Sequence, residues 1–124
     1  MTLRPYFISS VRLAAFGMLL VLPKLALAHA ILTTSTPAPG GTIASGHQTL
    51  VFNYNSRIDH KRSRLTLTGP GGKPVILTVT PASATNALDA EADLVPGSYT
   101  LRWQALALDG HITRGDVPFT VVEK

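Results

Sequence analysis

The chain contains no cysteine. That excludes a disulfide framework, a thiolate metal site and a cysteine nucleophile, and it leaves the fold to be held by an apolar core alone. Its two methionines, Met1 and Met18, both precede position 29, so no thioether ligand is available beyond that point. Charge is sparse and unevenly placed. Three of the eleven basic residues, Arg4, Arg12 and Lys24, lie before position 29, and none of the seven acids does. The remainder, eight basic against seven acidic residues, is nearly neutral. A nucleic-acid face needs a clustered excess of Lys and Arg, so no nucleic-acid role follows. The apolar run Leu13–Leu22 spans about ten residues, whereas a helix needs ~20 to cross a bilayer.

What is present begins with that short run. It follows basic residues and leads into Ala26-Leu27-Ala28, whose small residues at positions −3 and −1 suit signal peptidase. Residues 1–28 are therefore expected to be a secretory signal, and 29–124 a mature periplasmic domain with no membrane span. Lys24, between the run and the cut, departs from the usual pattern; an uncleaved anchor is the alternative. Cleavage makes His29 the first residue. A terminal histidine offers its α-amine and its imidazole Nδ1, which close a six-membered chelate ring on a metal.

Residues 29–124 read as all-β. Short runs alternate with period two between Pro/Gly turns, and no stretch carries a helical stripe. Strands are expected at Ala30–Ser35, Thr49–Tyr54, Arg64–Thr68, Val75–Thr80, Leu88–Leu94 (an edge-type pattern), Tyr99–Leu106 and around Val117, Phe119 and Val121. About seven antiparallel strands in one domain imply a Greek-key β-barrel or an immunoglobulin-like sandwich.

Between the last two runs lies Leu108-Asp109-Gly110-His111. In extended backbone Asp109 and His111 leave on the same side, and Gly110 bends without steric cost. With His29 they supply three nitrogens and one oxygen, a donor set suited to one Cu(II) per chain. Each half alone is better explained by chance, as a histidine that happens to follow a cut or an Asp-Gly turn before a solvated histidine; the two together are much more specific. Two further histidines are weaker candidates. His47 lies in the expected turn Ser45-Gly46-His47-Gln48, and His60 in the charged loop Arg57–Arg62. Trp103 and Phe119, at strand spacing, read as core.

His29-Ala30, Ser35-Thr36-Pro37-Ala38-Pro39-Gly40, Leu50-Val51-Phe52 and Leu65–Gly72 resemble the CopC copper-resistance family in order and spacing. So does Pro96–Trp103, followed by Asp109-Gly110-His111, Gly115, Phe119 and Val121. The resemblance implies a Greek-key barrel, a Cu(II) carrier in copper homeostasis and resistance, and His29, Asp109 and His111 as metal ligands. It also implies a copper-transporting membrane protein as partner. Two departures stand out. Tyr54 occupies the position where some members carry a glutamate. The methionine-rich loop that serves Cu(I) in other members has no counterpart after position 28.

Two rival readings use the same residues. A histidine brace is also the copper centre of lytic polysaccharide monooxygenases, but those enzymes surround the metal with long loops that residues 29–124 do not supply. The expectation is a carrier without enzymatic activity. A metal-free immunoglobulin-like adhesion module accounts for the strands but not for His29 and Asp109-Gly110-His111 together.

Overall fold

Residues 29–81 and 83–124 are described here in a computed structural model of the chain. The expected signal at 1–28 lies outside them. The strands run β1 (Leu32–Thr36), β2 (Gly41–Ala44), β3 (Gly46–Tyr54), β4 (Arg64–Thr68), β5 (Pro74–Leu77), β6 (Ala87–Leu94), β7 (Gly97–Leu106) and β8 (Ile112–Val122). One 3₁₀ turn, His60–Arg62, interrupts them; the Asp59 carboxylate caps it by accepting from the Lys61 and Arg62 amides.

Two sheets, ordered β1-β3-β6 and β2-β8-β7-β4-β5, face each other as an open sandwich and not as a closed barrel. Strict alternation builds the space between them. Leu50, Phe52 and Tyr54 of β3 and Leu88, Ala90 and Leu94 of β6 point inward from one side. Leu65, Leu67, Leu101, Trp103, Val117, Phe119 and Val121 meet them from the other. Each large apolar side chain so buried contributes about 1.5–3 kcal/mol. At Gly115, opposite Trp103, a Cβ would lie 2.5 Å from the indole, so the absence of a side chain lets the ring lie flat on β8.

Three expectations are corrected. β2 is a strand that the turn-rich 37–48 segment did not predict, and it pairs in parallel with β8, Gly41 opposite Phe119 through Ala44 opposite Val122. The sandwich is therefore not wholly antiparallel. Val75–Thr80 shortens to Pro74–Leu77, because Thr78–Thr80 leave the sheet and the Thr80 amide bonds the Asp89 carbonyl. β8 starts at Ile112 instead of Val117, since Thr113–Asp116 continue the ladder opposite β7. β6 lies at the edge of its sheet, as its acidic alternation implied.

Candidate metal centre

The first component is the N-terminal arm. Ala30 is fully buried in the core, which fixes the chain one residue beyond His29. The Thr113 hydroxyl donates to the Ala30 carbonyl at 2.6 Å. The Ile31 amide donates to Asn55 Oδ1 at 2.8 Å, and the Asn55 amide donates back to the Ile31 carbonyl at 3.1 Å. Thr113 of β8 and Asn55, just after β3, thus hold the backbone of Ala30 and Ile31, the two residues that follow His29.

The second component is the β7–β8 hairpin, closed by Leu106 opposite Ile112. Within it the Gly110 amide donates to the Ala107 carbonyl and the Ala107 amide to the His111 carbonyl, each at 2.9 Å. Gly110 takes φ +94°, a left-handed conformation that glycine adopts without penalty. The turn folds Asp109 back on His111: Oδ1 accepts the His111 amide at 3.0 Å, and Oδ2 lies 3.0 Å from His111 Nδ1. The His111 amide, with help from its ring and from the more distant His29, holds the Asp109 carboxyl below the usual range, against a smaller opposing effect of desolvation.

These two components meet. The His29 and His111 rings stand edge to face, centroids 4.8 Å apart and planes at 84°. Both residues are exposed, so an ion can reach them from solvent. In the tautomer that gives Nδ1–H to Asp109, Nε2 of His111 carries the free lone pair. Among the described residues no three His, Asp or Glu side chains already converge as a formed cage. The rings and the carboxylate adjoin in pairs instead. The nitrogen-rich, sulfur-free donor set fits Cu(II).

The CopC domain matches residues 32–122. This chain belongs to the CopC family. It is 32% identical to Copper resistance protein C of Pseudomonas syringae pv. tomato, over 91% of this chain and 94% of that protein. Protein YobA of Escherichia coli K12 is 30% identical, over 76% and 79%. The crystal structure of CopC from Methylosinus trichosporium OB3b matches with TM-score 0.69 at 24% identity, over 77% of this chain and 95% of that one, and supports the fold. PcoC, a methionine-rich copper resistance protein from Escherichia coli, matches with TM-score 0.61 at 25% identity, over 77% and 100%.

The remaining candidates of this CopC chain lie elsewhere. His47 is not in a turn but on β3, where Nδ1 meets Asp93 at 2.9 Å and Nε2 meets Glu91 at 2.6 Å across to β6. His60 directs Nε2 at the Ala84 and Ala87 carbonyls, both at 2.9 Å, and so fastens its turn to the start of β6. Tyr54 is 1% exposed, packs edge-on against Trp103 at 5.3 Å and offers no oxygen to the surface. Burial pushes its phenol pKa upward, and its hydroxyl finds no partner among the described residues. Asn55 and Thr113 are the residues that sequence reasoning missed. They act through the arm's backbone, and no motif spacing marks that role.

Proposed function

We propose that this CopC-family protein is a periplasmic Cu(II) carrier for copper sequestration and delivery in homeostasis and resistance. It holds one Cu(II) per chain through the His29 amine and imidazole, Asp109 and His111, and it passes copper to or from a copper-transporting membrane protein. Copper is cargo here, and no reaction is assigned to the protein. The observation that carries the reading is the approach of the His29 ring to the His111 ring, with Asp109 fastened beside it. A relative sharing 94% of its length with this chain is named as a copper resistance protein, which supports the choice of metal. In the full-length chain the nitrogen of His29 is a peptide amide; removal of residues 1–28 turns it into the amine that chelates.

Mass spectrometry of the exported protein should find His29 as its first residue. Electron paramagnetic resonance of that protein with one equivalent of Cu(II) should show a single axial centre with nitrogen coupling. A different first residue, or tight Cu(I) binding with no Cu(II) signal, overturns the assignment.

A further inference from the structure

The end of the sandwich that carries His29, Asp109 and His111 has a charge of the wrong sign for attracting a cation. Arg57, Lys61, Arg62 and Arg64 are all exposed there. Asp59, the acid among them, is engaged, with Oδ1 accepting the Lys61 and Arg62 amides at 3.0 and 3.1 Å. The basic loop is tied directly to the metal hairpin. The Asp59 amide donates to the Leu106 carbonyl at 2.8 Å, the Leu106 amide donates to Ser63 Oγ at 2.9 Å, and Ile58 bridges Ala107. Three of the seven acids lie along β6 instead: Asp89, Glu91 and Asp93.

The same end also shows apolar surface. The arm presents one large apolar side chain to solvent, Ile31 at 52% exposure, and the hairpin two, Leu108 at 62% and Ile112 at 45%. Folding gains little from side chains left this exposed, and all three flank the candidate ligands in sequence. A cleft of about 470 Å³ adjoins the basic loop, with Lys61 and Arg64 over a floor of Ile76, Leu77 and Val79.

We infer that the metal-bearing end is a docking face for a second protein, one that presents apolar residues surrounded by carboxylates. The inference rests on the copper reading above. Such a partner neutralises Arg57, Lys61, Arg62 and Arg64 on contact, which removes the positive field beside the ion only while the two are joined. Opposite charges speed the encounter and favour rapid exchange of partners. The apolar contacts with Ile31, Leu108 and Ile112 exclude water around the exchanging ligands.

The test uses isotopically labelled protein beginning at His29 and a synthetic peptide of alternating Glu and Leu as probe, followed by amide chemical shifts. Saturable shifts are expected in 30–31, 57–64, 76–79 and 107–112, and a Lys-for-Glu peptide should cause none. Combining Lys61→Glu, Arg62→Glu and Arg64→Glu should weaken peptide binding roughly tenfold or more, and salt should weaken it as well. Leu108→Ser with Ile112→Thr should weaken it without altering charge. Cu(II) affinity, read by chelator competition, should not fall in the charge-reversed protein. Shifts elsewhere, or unchanged binding by both variants, overturn the docking face. Binding to phosphatidylglycerol vesicles in place of the peptide assigns the surface to a membrane and overturns it too, as do shifts that appear on concentrating the protein alone. If the peptide docks here but wild-type protein binds no Cu(II), the copper reading falls and the docking face stands.

Discussion

The His29 imidazole meets the His111 imidazole edge to face at 4.8 Å, although 82 positions of sequence (111 − 29) separate the two residues. Ring proximity alone does not make a chelate; the amine does. Protein carrying an extra Met or Gly ahead of His29 keeps both rings and displaces the amine. Its Cu(II) affinity should fall on the order of a thousandfold, about 4 kcal/mol, in competition titrations. Equal affinity of the extended and processed proteins sinks the brace, and His47 and His60 become the ligands to examine.

The hairpin ligands should differ in weight. His111→Ala removes the nitrogen contributed by the far end of the chain and should weaken Cu(II) binding greatly. Asp109→Ala should cost less, because water replaces one carboxylate oxygen. Thermal unfolding without metal should barely change in either, since both side chains are exposed and the core is untouched. A larger loss from Asp109→Ala than from His111→Ala contradicts this ranking.

Thr113→Val keeps the shape of the side chain and removes the bond to the Ala30 carbonyl. A neutral hydrogen bond of this kind contributes about 1 kcal/mol, and the stability lost should be of that order. If Thr113 positions the arm, faster amide exchange should be confined to residues 30–32, and the Cu(II) spectrum should broaden into several forms. A uniform rise in exchange across the sheets would make the residue merely structural.

Tyr54→Phe tests the buried hydroxyl that lacks a partner. Deleting it spares a desolvation cost and keeps the contact with Trp103, so stability to urea should rise by about 1 kcal/mol. A loss of that size reveals a partner for the hydroxyl.

His47 should make stability depend on pH. The hydrogen bond to Asp93 first, and that to Glu91 second, raise its pKa against a lesser effect of desolvation. The charged ring is thus favoured in the folded state. Its contribution is complete below the ordinary histidine value of about 6.5 and is lost as pH rises through the higher native value. The melting temperature of wild type should exceed that of His47→Gln most at about pH 6, and the difference should close towards about pH 9. A difference that stays constant, or grows with pH, contradicts the ion-pair account.

Much of this arrangement was legible in the order of residues. Alternation at Leu50, Phe52 and Tyr54 and at Tyr99, Leu101 and Trp103 places the inner faces correctly, because period-two burial is a local property of a strand. β2 was not legible. Gly41–Ala44 is too short to show a period, and its pairing depends on β8 at the far end of the chain. His47 was misplaced for a related reason: the partners that extend β3 over it, Asp93 and Glu91, belong to β6. At the candidate site, Asp109-Gly110-His111 announced itself by spacing. Asn55 and Thr113 did not, since they hold backbone groups that any residue at 30 and 31 would supply.

The bond from Thr113 to Ala30 joins the last strand to the first residues of the domain. A chain still emerging from the ribosome has neither that strand nor the second imidazole. Its N-terminal segment therefore lacks the anchor and the partner ring, even if the leader has already been removed. Contacts across so long a sequence separation carry a high loop-closure cost and form slowly. Under the proposed reading the complete ligand set exists only in finished molecules, and a chain that lacks β8 and the turn before it can offer copper no more of that set than its first histidine.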